Sequence, residues 1–172
     1  MSPFPVEIFP LGEVPEDAVE TLLDEAFGRD RRSLTAYRVR VGTTAIAPLC
    51  FAARIAGRLV GVLESWPVVL LGDDGRPIAP MVMVGPVGVA PAAQNSGVGR
   101  SLMMALIEGA DRTYAPALMM VGDPEYYARF GFEAALAKGW TLPGPFEPRR
   151  LLARATRLGA VPQASGIIGP WS

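Results

Sequence analysis

The sequence predicts one α/β domain of the α+β kind, with a mixed, mostly antiparallel central sheet flanked by helices. Three observations carry this. Strand-textured segments separated by turn signals run from Cys50 to Val89. One long amphipathic helix follows them, from Gly97 to about Ala115. The 172 residues, 50% apolar and 19% charged, are enough for one substantial core and short for two.

Taken in order, Val6–Phe9 reads as a short strand ended by Pro10 and Gly12. Pro15 opens a helix with Glu16, Asp17 and Glu20 in its first turns, where acids suit the dipole. Val19, Leu22, Leu23, Ala26 and Phe27 make its apolar stripe, and Gly28 stops it. Arg29–Arg40 is mixed, with a short helix expected near Arg32–Tyr37. Phe51–Ile55 and Arg58–Leu71 form a hairpin around Ala56-Gly57, and Asp73-Asp74-Gly75 marks the next turn. Pro80–Val89 is apolar almost without interruption, as for a central strand covered on both faces. In the helix after it, Leu102, Met103, Leu106, Ile107 and Ala110 recur at three and four. Pro116 ends that helix. Ala117–Val121 is a short buried strand, and Glu125–Phe130 a short helix stopped by Gly131. Phe132–Leu136 and Leu151–Ala155 are expected as two final strands, joined by a Gly/Pro-rich connection from Gly139 to Pro148. The domain is expected over residues 1–155. Residues 156–172 are a tail to which no element is assigned.

Composition removes several function classes. With no histidine, Ser-His-Asp triads, His-based metal sites and His general bases are absent. A single cysteine, Cys50, rules out an internal disulfide and argues against a cysteine-based zinc site; no metal is expected. With nothing to activate it, Cys50 reads as a small buried hydrophobe. Net charge is −1, and no arginine cluster is evident beside an aromatic platform, so nucleic acid is not an expected partner. The fifteen arginines against one lysine read as compositional bias. No run of apolar residues is long enough to span a membrane, and the start, Met1-Ser-Pro-Phe-Pro5, lacks the features of an export leader. A reducing cytoplasm is the expected setting.

The informative stretch is Val84-Gly-Pro-Val-Gly-Val-Ala-Pro-Ala-Ala-Gln94-Asn-Ser-Gly97-Val-Gly99-Arg100. A buried strand leads through a short loop and two close glycines into an amphipathic helix. Glycines there let backbone N–H groups approach a ligand closely. The free N–H groups and dipole of a helix start favour an anion such as a pyrophosphate. A glycine-softened turn with no ligand fits the same residues. No lysine follows, as a P-loop requires, and Leu102 stands where a dinucleotide fingerprint has its third glycine.

Gln94-Asn-Ser-Gly97-Val-Gly99 resembles the Gln/Arg-x-x-Gly-x-Gly/Ala signature of the GNAT acyltransferases. The preceding Gly85-Pro86-Val87-Gly88-Val89-x-Pro91 and the later Gly122-Asp-Pro-Glu-Tyr126-Tyr127-Ala-Arg-Phe130-Gly131-Phe132 extend the resemblance, the latter in the form of a bacterial subgroup. The resemblance implies a sheet splayed between two central strands, Pro80–Val89 and Ala117–Val121, with acetyl-CoA in the gap. It assigns Val87, Gly88 and Val89 to the pantetheine, and Gln94, Asn95, Ser96, Gly97, Val98, Gly99 and Arg100 to the pyrophosphate. Family members often place an asparagine after the second of these strands. Here Gly122-Asp123-Pro124 stands instead.

Transfer of an acetyl group to an amine needs a neutral amine, stabilisation of the charge that builds on the carbonyl oxygen, and a proton for the departing thiolate. A backbone N–H near Val89 supplies the second in the family. For the proton, Tyr127 holds the family's general-acid position four residues before Gly131, next to the pantetheine; its neighbour Tyr126 points elsewhere. Glu64, among apolar strand residues, is the candidate base, since partial burial raises a carboxyl pKa. An outward-facing Glu64 and plain core tyrosines are the competing readings. Asp123, a turn residue, is a second candidate base, and water alone a third route. Trp66, Trp140 and Phe146 are candidate walls of the acceptor pocket. The expected function is an acetyl-CoA-dependent N-acetyltransferase acting on a primary amine of a small molecule or peptide by direct attack in a ternary complex, as a monomer or homodimer. The alternative is a non-catalytic acyl-CoA-binding module.

Overall fold

The structure is a computed structural model and describes residues 4–172; the leader reading falls partly on residues 1–3, outside the described residues. Its elements in chain order are β1 (Val6–Pro10), α1 (Glu16–Phe27), α2 (Thr35–Arg38), β2 (Phe51–Ile55), β3 (Arg58–Leu71) and β4 (Pro77–Val89). There follow α3 (Val98–Arg112), β5 (Leu118–Val121), α4 (Pro124–Tyr127), β6 (Trp140–Thr141), β7 (Leu151–Arg154) and β8 (Gly166–Pro170).

Among the described residues eight strands form one sheet, whose main path runs β1-β2-β3-β4-β5-β7. Every neighbouring pair on that path is antiparallel except β4 and β5, which run parallel and are joined by the crossover through α3. This is the mixed, mostly antiparallel sheet that the sequence predicts.

Apolar alternation fixes which face each strand gives to which layer. Ala53, Leu63, Val82 and Val84 pack with Val98, Leu102, Leu106 and Ala110 of α3. Val62 faces α1 instead, against Val19, Leu22 and Leu23. Further along, Val68, Leu70, Met81 and Met83 cover the opposite end of the sheet, with Trp140, Leu142 and Ile168. Close approach of β3 to α3 depends on Gly61: a Cβ there would lie 2.5 Å from Val98 Cγ1.

The parallel β4–β5 ladder is very short. Only Val82↔Leu118 and Met83↔Met119 pair, after which the strands diverge. The rest of β4, Val84–Val89, keeps its β3 partners and leaves its other edge open toward β5. Opposite the point of divergence the β3–β4 register slips: Leu63 faces Val87 but Ser65 faces Val84, leaving Glu64 against a bulge at Gly85-Pro86.

Two expectations are corrected. Phe132–Leu136 is not a strand. Only Glu133 pairs with Ala153, and the chain then turns into a 3-10 helix over Ala134–Ala137. The alanine-rich run has no β-branched residues to hold it extended. The expected Gly139–Pro148 connection contains the short β6. The tail also carries structure: β8 pairs with Val68–Leu71 on the edge of β3 that β2 leaves at Leu63, and with β6 on its other side. Among the described residues no helix is long and apolar enough to cross a membrane.

Candidate active site

Where β4 and β5 part, the sheet opens into a cavity of about 750 Å³. Val84–Val87 of β4 and Met120–Asp123 at the end of β5 form its two sides, and Tyr127 reaches in from α4. At the other end, α2 docks on the loop that follows β6. Thr35 Oγ1 donates to the Pro145 carbonyl at 2.5 Å, and Arg38 Nη1 to that of Pro143 at 3.1 Å. Gly144 permits this approach, since a Cβ there would lie 2.6 Å from Arg38 Nη1. Phe27, Leu34, Leu142 and Phe146 give this end part of its wall.

Of the residues singled out in the sequence, Val87, Asp123, Tyr127 and Phe146 line the cavity. Tyr127 packs edge-on against Tyr126, with ring centroids 4.9 Å apart, and near Phe130 and Phe132. Burial, reinforced by the nearby Tyr126 and Asp123, pushes its phenol up to about 12, so it stays protonated at neutral pH. Gly88 and Val89 lie one step along β4, outside the cavity. Gly88 is buried under α1, where a Cβ would meet Leu23 at 3.0 Å. Val89 packs toward α3.

Gln94, Asn95, Ser96, Gly97, Val98, Gly99 and Arg100 form the turn into α3 and do not line the cavity. Asn95 and Gly97 are left-handed, at φ 65° and 81°, which bends the loop over the helix start. Gly97 caps α3 and accepts from Ser101 N–H at 3.0 Å. Gln94, Asn95, Gly97 and Arg100 are exposed, and Val98 is buried. Tyr126, turned away from the cavity, brings its hydroxyl against Gly99.

Glu64 does not line the cavity; Arg40 stands in front of it, with Nη1 3.5 Å from Glu64 Oε1. Burial raises the Glu64 carboxyl above its ordinary value, partly opposed by the Arg40 charge. Asp123 does line the cavity, but at its exposed mouth. Its carboxylate caps α4 by accepting the Glu125 N–H at 3.0 Å, and the hydrogen bonding to Glu125 holds its pKa down, so it is a weak base. Cys50 is buried, and burial pushes its thiol up to about 11. Among the three candidate pocket aromatics, Phe146 lines the cavity. Trp140 is buried, donating to the Ala164 carbonyl at 3.0 Å.

The sequence reading missed the cationic end of the cavity. Arg31 is 2% exposed and each of its three nitrogens is engaged: Nε donates to Asp24 at 3.0 Å, Nη1 to the Tyr37 hydroxyl at 2.7 Å, and Nη2 to Glu20. Arg40 is stacked between the rings of Tyr37 and Trp66, its Cζ 3.8 and 4.3 Å from their centroids. The Trp66 indole N–H is buried without a partner among the described residues. Arginines therefore do lie against aromatic rings here, contrary to the sequence reading, but inside a chamber. The available signal was five arginines and Tyr37 between Arg29 and Arg40. Among the described residues no three metal-ligating side chains cluster.

The sequence model of the acetyltransferase (GNAT) domain matches residues 8–135. The uncharacterized N-acetyltransferase YhbS of Escherichia coli K12 is 27% identical over 125 residues, 72% of each chain. The crystal structure of E. coli YhbS in complex with CoA superposes with a TM-score of 0.76 at 21% identity, covering 99% of this chain and 92% of that one. A GNAT acetyltransferase from Brucella melitensis in complex with acetyl-CoA gives 0.62 at 22% identity, covering 98% and 97%.

Proposed function

Because the chain belongs to the GNAT acetyltransferase family, we propose that it moves an acetyl group from acetyl-CoA to the primary amine of a small molecule or peptide by direct attack in a ternary complex. The observation that carries this is the splay: β4 leaves β5 after two residue pairs, and the gap opens into a cavity that holds Val87 and Tyr127.

The residues present fit the donor. The unpaired edge of β4 at Val87–Val89 offers backbone N–H and C=O groups to the pantetheine amides, as an added strand would. The turn Gln94–Arg100 offers the pyrophosphate the N–H groups at the start of α3, with left-handed Asn95 and Gly97 shaping the loop. When bound, acetyl-CoA supplies an activated acetyl group on a thiol that leaves readily. Tyr127 keeps its proton on Oη and donates it to the departing sulfur. Glu64, screened from the cavity by Arg40, is the candidate acceptor of the amine proton, which would reach it by way of water and not by direct contact from the cavity wall. The Gly122-to-Phe132 block supports membership of a bacterial subgroup of the family, and a cytoplasmic setting is part of the same proposal.

Titration of acetyl-CoA into the protein, then thiol-release screening against a panel of amines, tests this reading. Tight binding without release on any amine would favour the alternative, a module that binds acyl-CoA without turnover.

A further inference from the structure

Resting on the acetyl-transfer reading of the same cavity, we infer that the acceptor amine carries a carboxylate, held by Arg40, on an apolar body: an amino-acid-like acceptor. Asp123, Glu147 and Arg150 also line the cavity but are exposed at its mouth. Deeper in, the charged groups that face the chamber are Arg31 and Arg40. Glu20, Asp24 and Glu64 stand behind these two and do not line it.

The two guanidiniums differ in what they have left to give. Arg31 spends Nε, Nη1 and Nη2 on Asp24, Tyr37 and Glu20. Arg40 has a single polar contact, to Glu64 at 3.5 Å, at the long limit of a hydrogen bond. Its remaining N–H groups have no partner among the described residues. The rings of Tyr37 and Trp66 on either side fix the guanidinium plane, so the donors are aimed before a ligand arrives. A planar fork with free donors matches the two oxygens of a carboxylate. Phe27, Leu34, Leu142 and Phe146 also line the chamber, and the Arg40 side chain is 15% exposed, so water competes with that match less than it would at an open surface. The same apolar walls receive the acceptor's body. A purely cationic amine would meet two guanidiniums with nothing to offer them, whereas a zwitterion brings its own counter-charge.

The test compares acid and amide of one apolar acceptor. Phenylalanine and phenylalaninamide are assayed for acetyl transfer. Their N-acetyl products are titrated into the protein, with and without CoA, so that binding is read even where turnover is not. Wild type should favour the acid at least about tenfold in both measurements, because a site built to hydrogen-bond a group rejects the analogue lacking it. Arg40→Gln should erase the preference, and Arg40→Lys, which keeps the charge but not the fork, should retain only part of it. Acetyl-CoA affinity of both variants should match wild type, which reports that the fold and donor site are intact. Equal handling of acid and amide by wild type, or a preference that survives Arg40→Gln in a variant that still binds acetyl-CoA, would overturn the inference. Failure of acetyl-CoA to bind wild type would instead sink the acetyl-transfer reading, and the acid–amide titration without CoA would still decide whether Arg40 holds a carboxylate.

Discussion

The hydroxyl of Tyr126 lies 3.1 Å from where a Cβ on Gly99 would stand, with Val89 Cγ2 just beyond at 3.8 Å. This contact ties α4 to the start of α3 and to the end of β4. It also gives the two adjacent tyrosines separate surroundings: Tyr127 faces the cavity and Tyr126 the turn that leads into the helix.

Substitution of the two glycines should therefore act by different routes. Valine at position 97 must adopt φ near 81°, which costs about 1–2 kcal/mol of stability for a residue with a Cβ. Valine at 99 brings a Cβ to 3.1 Å from the Tyr126 hydroxyl and so crowds the turn proposed to hold the pyrophosphate. Both should weaken acetyl-CoA binding at least about tenfold, or 1.4 kcal/mol. Calorimetric titration of folded variants checks this, and unchanged affinity would move the anion site elsewhere.

Tyr127→Phe keeps the ring and its packing on Phe130 and Phe132. Acetyl-CoA affinity should hold, while kcat falls at least about tenfold, the low end of what a general acid contributes. Because burial pushes the phenol up to about 12, its proton is retained across neutral and mildly alkaline pH, and no loss of rate from its ionisation should appear there. Tyr126→Phe should cost kcat less. Wild-type kcat in Tyr127→Phe on a verified acceptor would remove the acid role.

Glu64 makes a prediction about stability and pH. Its carboxyl is raised in the folded state, chiefly by burial, from an ordinary value of 4.5. The folded protein thus holds this proton more tightly than the unfolded chain does. The associated stability is full below the unfolded value and is lost as pH rises from there through the raised folded value. Glu64→Gln, which cannot ionise, should flatten that part of the Tm-against-pH curve relative to wild type. Parallel curves for the two proteins would contradict the assigned shift.

The C-terminal strand gives a sharper structural test. A Cβ on Gly166 would lie 2.2 Å from the Leu71 carbonyl oxygen, a backbone atom with no rotamer to move aside. Gly166→Ala should destabilise the protein by about 1–3 kcal/mol, the usual range for overpacking. Chemical denaturation measures it. A neutral effect would show that residues 156–172 lie outside the cooperative unit, in line with a domain that ends near residue 155.

Much of the fold is legible in the residues themselves. The hairpin at Ala56-Gly57, the buried run to Val89 and the stripe of α3 follow from local periodicity and turn chemistry, and the structure keeps their limits to within a few residues. β8 was not legible: Gly166–Pro170 sets two glycines and a proline around Ile167-Ile168, and its pairing with β3 and β6 is long-range. Glu64 was visible as a carboxylate in an apolar strand, but not the Arg40 that stands between it and the cavity. The Tyr37–Arg40–Trp66 stack joins a loop to a strand 26 residues away in the sequence. No spacing rule connects them, and an arginine-rich stretch read as composition concealed them.

The brevity of the β4–β5 ladder has a mechanical side. With two residue pairs bridging them, the half of the sheet bearing β1 to β4 and the half bearing β5 and β7 meet along a narrow seam, stiffened elsewhere by α3 and by side-chain packing. A molecule that hydrogen-bonds along the open edge of β4 while touching β5 acts as a splint across this seam. The N–H groups that β4 presents to this open edge should then exchange their hydrogens quickly in the free protein and slow on loading, while those deep in β2 and β3 stay protected throughout. The donor, on this view, is part of the scaffold for as long as it is a reagent.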